Sequence, residues 1–212
     1  MLDELKQKYE QKKQAIENRL NDFRLSFQND DKHVFGELCF CLLTPQSKAK
    51  SAWRVIEKLK ETGLLYSGNS EDIKKWMANV RFNENKSRYL VEARHIFSDN
   101  NGEIKIKEKM NALPDVLALR EWLIENVNGM GCKEASHFLR NIGFGDDIAI
   151  LDRHILKNLV KYGVIPEVPK SLTEKKYLEI EDKMRRFSQN IGIPFAHLDL
   201  LWWSEETGEI FK

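Results

Sequence analysis

The chain has 212 residues, 42% of them hydrophobic and 32% charged, with a net charge of +1 at neutral pH. That length supports one domain with a real core, or two small subdomains sharing a cleft. Near-neutrality argues against a histone-like polycation that coats nucleic acid, while leaving room for a local cationic rim around a few nucleotides.

Nearly every segment carries a helical period. Leu2, Leu5, Tyr9, Ile16, Leu20, Phe23 and Phe27 recur at three- and four-residue steps, predicting a long amphipathic first helix. Asp30 or Asp31 caps a second, apolar helix through Leu43, which Thr44-Pro45 ends. A third starts near Ser47, buries Ala52, Trp53, Ile56 and Leu59, and stops at Gly63. After a short loop, Ser70 is expected to cap a brief helix to Val80, and Asn83 another with Tyr89, Leu90, Ala93, Ile96 and Phe97 on one face. Asn100-Asn101-Gly102 reads as a turn, and Leu113-Pro114 opens a helix carrying Leu119, Leu123 and Val127. Cys132 to about Ile142 is helical, Gly143 to Asp147 a loop, and Asp152 precedes a helix ending at Gly163. Thr173 caps a helix to about Asn190, and Pro194 begins the last, through Trp203. Ile104 to Ile106 is the one strand candidate and is too short. The expectation is an all-α protein.

No run approaches the roughly 18 apolar residues of a membrane span. Met1 to Arg19 is studded with charge and lacks the apolar core of a signal peptide. These features predict an intracellular protein with no membrane partner. Cys39, Cys41 and Cys132 are odd in number and sit in helical patterns, so buried reduced thiols are the favoured reading. No four-cysteine array for zinc or an iron–sulfur cluster is present. The histidines lack ligand spacing.

Two elements carry chemistry. In Asn128-Gly129-Met130-Gly131-Cys132-Lys133, two helices are joined by a turn with glycines two apart. Glycine there permits positive φ and close approach of another backbone. The free N–H groups of the turn and of the next helix start make a phosphate site. A helix cap plus a tight turn would explain the glycines as well. Lys133 tips the balance, because it sits in a first helical turn, where the dipole disfavours a cation. Shielding from water there would favour the neutral amine, which can attack a sugar carbon and form a Schiff base. The second element is Ile148 to Asp152, an apolar run ending in an aspartate that starts a helix. Asp is a common N-cap in any case. A rigid carboxylate at that place can also stabilise positive charge on a sugar as its base departs, or receive a proton from an attacking amine.

Gly129-Met130-Gly131-Cys132-Lys133 and Leu151-Asp152-Arg153-His154 resemble the helix-hairpin-helix DNA glycosylases. The lysine–aspartate spacing, 152 − 133 = 19, matches the 8-oxoguanine branch. The absence of cysteine after Cys132 argues against the branch of endonuclease III, with its iron–sulfur loop. Leu42-Leu43-Thr44-Pro45-Gln46-Ser47, the compact length and a terminal lysine look like the type 2 8-oxoguanine glycosylase/AP lyases of archaea and bacteria.

The resemblance implies two helical subdomains with a DNA-binding cleft between them. One spans about 30–143 and ends in the helix-hairpin-helix of 117–142; the other joins 1–29 to 144–212. It implies Lys133 as nucleophile and AP lyase residue, Asp152 as its partner, and damaged double-stranded DNA as substrate, bound by a monomer without iron–sulfur or zinc. Gly129, Met130, Gly131 and His154 would meet the DNA backbone. Carbonyls around Glu125, Val127 and Met130 hold a monovalent cation in relatives. Gln46 would fill the hole left by the extruded base, its amide having both donors and an acceptor for the orphaned partner. Trp203 and Lys212 would reach the base pocket, although on spacing alone core packing of Trp202 and Trp203 with a frayed tail is the favoured account. The clusters Lys48/Lys50/Arg54 and Lys183/Arg185/Arg186 are candidates for a DNA rim, with solvated helix faces as the plainer account. A glycosylase for another oxidised base, and a non-catalytic helix-hairpin-helix module, are the alternatives. The second leaves the Lys133–Asp152 spacing a coincidence.

Overall fold

The computed structural model describes residues 1–210. Lys212, expected at the base pocket, lies outside the described residues. Twelve helices occupy the described chain: α1 (Leu2–Ser26), α2 (Asp31–Leu43), α3 (Ala49–Glu61), α4 (Leu64–Ser67), α5 (Ser70–Lys74), α6 (Asn83–Phe97), α7 (Ile106–Asn111), α8 (Val116–Asn126), α9 (Cys132–Asn141), α10 (Arg153–Lys161), α11 (Glu174–Ile191) and α12 (Phe195–Thr207). The β-pairing among the described residues is a single antiparallel bridge between Ser98 and Ile104.

The helix ends expose where local rules hold. Asp30 caps α2 by accepting the His33 N–H at 2.8 Å, Asp115 caps α8, and Thr173 caps α11. Two expected caps are corrected. Asn69, not Ser70, accepts the Asp72 N–H, and that helix ends at Lys74 rather than Val80. Asn83 is the first residue inside α6, and Phe82 precedes it in the left-handed region at φ +59°. The exposed Phe82 ring is covered by the Arg81 guanidinium, 5.1 Å from its centroid. Helices α4 and α7 were not expected. Each is six residues or fewer, too short for a 3.6-residue period to show.

Two apolar cores lie side by side. The first gathers side chains from α2 through α9, from Val34 to Ile148. Its axis is α2, in which every residue from Val34 to Leu43 is buried, as expected of a helix apolar all round. The second core joins Leu5, Tyr9, Ile16, Leu20 and Phe23 of α1 to side chains from Ala149 onward, including those of α10, α11 and α12. Trp202 is fully buried there, stacked on Tyr162 at 5.8 Å between ring centroids.

Buried ion pairs span the two cores. Arg120 of α8 makes a two-pronged bridge to Glu181 of α11, at 2.8 and 3.0 Å. Arg140 of α9 meets Asp199 of α12 at 3.0 Å. Taking such charges out of water is costly, so their yield is geometric more than energetic: each guanidinium fixes one helix against another. Burial pushes the Asp199 carboxyl above its usual range, and the Arg140 charge beside it opposes that rise.

Candidate active site

The glycine turn between α8 and α9 forms as the sequence requires. Gly129 adopts φ +84°, and a Cβ added there would sit 2.5 Å from the Tyr89 ring of α6. Left-handed backbone and close packing therefore both demand glycine. Met130 faces inward and is buried in the first core, so any contact it makes with DNA must come from its backbone. The Met130 N–H donates to the Val127 carbonyl at 3.1 Å, closing the turn. Gly131 is the N-cap of α9 and brings no side chain to the first-turn amides. Those amides are left to an outside anion.

Lys133 follows in the first turn of α9, half-buried, with Nζ 3.0 Å from Glu134 Oε1. Glu134 also accepts the Gly131 N–H through Oε2 at 3.3 Å. It thus does two jobs, capping the hairpin and holding the lysine head. The glutamate three residues after an N-cap is a readable signal, and it had not been weighed in the sequence.

Asp152 is the N-cap of α10 and is gripped more fully. Its Oδ1 accepts the His154 and Ile155 N–H groups, both at 2.8 Å, and its Oδ2 accepts the Trp203 ring N–H at 3.0 Å. The segment leading to it is pinned as well. Glu181 Oε2 accepts the Ala149 N–H at 2.6 Å, and the Tyr177 hydroxyl donates to the Ala149 carbonyl at 2.6 Å while accepting the Leu151 N–H at 3.1 Å. Burial pushes the Tyr177 phenol up.

Lys133, Asp152, His154 and Trp203 line one cavity of about 210 Å³, together with His137, Asp199 and Ile210. Trp203 thus reaches the pocket while committing its ring N–H to Asp152. Its neighbour Trp202 belongs to the core. His154 Nδ1 lies 3.4 Å from a Glu206 carboxylate oxygen.

Gln46 stands apart from this cavity's lining. It is exposed, at φ +54°, in the turn between α2 and α3. The neighbouring Pro45 shares a shallow groove with Phe82, Tyr89 and Gly129, so the turn and the hairpin edge border one surface. Glu125 and Val127 lie at the C-terminal end of α8, where helical carbonyls lack intrahelical donors; oxygen donors of that kind suit a hard cation. Of the two basic clusters, Lys183 pairs with Glu179 and Arg186 with Asp182, whereas Lys50 pairs with Glu209. Among the described residues no group of three or more His, Cys, Asp and Glu side chains is placed to hold a metal ion. No described helix is long and apolar enough to cross a membrane. Cys39 and Cys41 are buried and Cys132 is half-buried, and none of the three forms a disulfide.

Comparison with known proteins agrees with this geometry. The family described as 8-oxoguanine DNA glycosylase matches residues 16–193. A protein of Fusobacterium nucleatum named 8-oxoguanine DNA glycosylase/AP lyase is 49% identical over 211 residues, covering 99% of this chain and 97% of its own. One of the same name from Korarchaeum cryptofilum is 37% identical, covering 94% and 91%. The crystal structure of the Methanocaldococcus jannaschii 8-oxoguanine glycosylase/lyase with a 15mer DNA containing 8-oxoguanine superposes with a TM-score of 0.85 at 34% identity, covering 97% of this chain and 98% of that one. An amine and a carboxylate lining one cavity, beside a glycine hairpin, are thus set in a fold that these enzymes share, and the chain belongs to the 8-oxoguanine DNA glycosylase family.

Proposed function

We propose that this chain removes 8-oxoguanine from damaged double-stranded DNA and then cuts the abasic strand, acting as a monomer inside the cell. The observation that carries the reading is the shared cavity of Lys133 and Asp152. In this reading the two cores correspond to two subdomains, about 30–143 and about 1–29 with 144–212, and the DNA lies across the cleft between them.

The flipped nucleotide enters the cavity with its sugar between the two side chains. Lys133 leaves Glu134, and its neutral amine attacks C1′. The bond from C1′ to the base breaks, and its electron pair departs with the base. The bonded amine gives one proton to Asp152, which passes it to O4′ as the C1′–O4′ bond breaks, leaving a protonated imine between C1′ and Lys133. Asp152 also stabilises the positive charge that develops on the sugar as the base leaves. The imine acidifies C2′; loss of that proton expels the 3′ phosphate by β-elimination. The chain's own amine and carboxylate supply every step, so the chemistry calls for no iron–sulfur cluster or zinc.

Binding follows the same logic. The N–H groups of the first turn of α9 donate to a phosphate that lies against the Gly129–Met130–Gly131 backbone, and His154 meets the DNA from the facing segment. Carbonyls of Glu125, Val127 and Met130 would hold a monovalent cation beside that phosphate. Gln46 enters the vacated place in the duplex. Trp203 and Lys212 contact the extruded base.

Borohydride reduction during incubation with an 8-oxoguanine duplex tests the reading. A covalent protein–DNA adduct is expected with the wild type and none with Lys133→Gln. A variant that still traps DNA would move the nucleophile elsewhere, and a wild type that forms no adduct would remove the chemistry altogether.

A further inference from the structure

Lys86 is a buried cation to which the chemistry above assigns no task. It sits in the first turn of α6, where the helix dipole opposes a positive charge. Burial adds to that penalty, so something must repay it. Three oxygens do so. The ammonium donates to the Leu43 carbonyl at 2.7 Å, the Pro45 carbonyl at 2.6 Å and Ser47 Oγ at 3.1 Å. An ammonium has three donors, and all are used.

The acceptors share a location. Leu43 ends α2, at the negative pole of that helix. Pro45 and Ser47 bracket Gln46 on either side. Gln46 itself is held at φ +54°, a conformation that a residue with a Cβ adopts only when its surroundings impose it. Within the turn, the Ser47 N–H donates to the Thr44 carbonyl at 3.0 Å, and the Arg81 N–H reaches Ser47 Oγ from outside at 3.0 Å. Burial lowers Lys86 to about 8, with the nearby Lys133 acting in the same direction and Glu134 opposing. Thr44 and Ser47 of the clamped turn line the same cavity as Lys133 and Asp152.

We propose that Lys86 is a positioning residue that locks the Thr44–Ser47 turn so that Gln46 is already aimed at the gap left by an extruded nucleotide. This rests on the glycosylase reading above. The strain at Gln46 is then a form of preorganisation, sustained by a cation that no exposed turn would need.

Two measurements test it. The first is kcat/KM for Lys86→Met, Gln46→Ala and the double variant, on an 8-oxoguanine duplex and on the same duplex lacking the base opposite the lesion. Lys86→Met is expected to lose on the order of tenfold on the intact duplex and only about twofold without the opposite base, with the double variant no worse than the poorer single one. Equal losses on both duplexes, or losses that multiply, overturn the proposal. The second needs no DNA. Amide exchange of Ser47 should quicken in Lys86→Met while that of Ala135, bonded to the Gly131 carbonyl, stays as in the wild type. Unchanged Ser47 exchange overturns the clamp whatever the activity. A wild type inactive on 8-oxoguanine would instead sink the glycosylase reading and leave the exchange result to decide the clamp. Should Lys86→Met fail to fold, Ser47→Ala, which removes one acceptor, should show the same duplex-selective loss in smaller measure; a loss indifferent to the opposite base overturns the proposal.

Discussion

Lys133 and Asp152 line one cavity from two segments that differ in how much holds them. Asp152 accepts three N–H donors, and Ala149 and Leu151 before it are pinned by Glu181 and Tyr177. Lys133 has a side chain of four methylenes and one ion pair, to its sequence neighbour Glu134. Under the proposed reaction, the difference follows from the work each must do. A nucleophile has to travel to C1′ and then remain attached while the strand is cut. A charge-stabilising carboxylate gains only from staying still, because its effect depends on being aligned before the charge appears. One side of the cavity is built to move and the other to stay.

The sharpest way to break that contrast is at Asp152. An Asn there keeps one oxygen for the α10 amides but turns an NH₂ toward the Trp203 ring N–H, so two donors face each other. Turnover should fall about ten-thousandfold with DNA binding still measurable in a gel-shift titration. Turnover near that of the wild type would make Asp152 a cap and nothing more. Next comes the scaffold behind it. Glu181→Ala strands the buried Arg120 guanidinium and frees the Ala149 amide together. A loss of about 3–5 kcal/mol is expected in denaturant unfolding, and a loss under about 1 kcal/mol would show that the bridge is not what holds the segment.

The hairpin side should respond differently. Gly129→Ala strains a left-handed residue and pushes a methyl into Tyr89; about 1–3 kcal/mol of stability should go. Adding Tyr89→Ala should return the steric share and leave the backbone share. Full recovery, or none, would show that one of the two causes is absent. The smallest change is Trp203→Phe, which keeps an aromatic ring and deletes one hydrogen bond to Asp152. A fall in kcat of about tenfold with unchanged unfolding is expected. In Asp152→Asn the same substitution should cost nothing further, since the bond it removes is already gone.

Much of this was legible in the residues, for a definite reason. Helical period, an N-cap at Asp30 and Asp152, and the glycine turn are set by forces acting within a few residues of chain. The long helices α1, α2, α9, α10, α11 and α12 stand within a few residues of where the period puts them. The failures also follow a rule. Helices α4 and α7 are shorter than two turns, and Phe82 displaced Asn83 as the cap of α6 because the chain there bends through a left-handed residue.

Lys86 shows the limit most plainly. Like Lys133, Lys86 is a cation near the start of a helix, yet its partners lie 39 to 43 positions away in the chain. Likewise, Trp203 finds Asp152 across 51 positions, and Arg120 finds Glu181 across 61. The amino-acid order by itself determined the longer helices, the glycine turn and the Asp152 cap, since propensity, capping and glycine freedom are local. Only the tertiary structure decided which groups immobilise them, because a buried hydrogen bond is chosen by whichever distant donor packing brings within 3 Å, and no local pattern encodes that meeting.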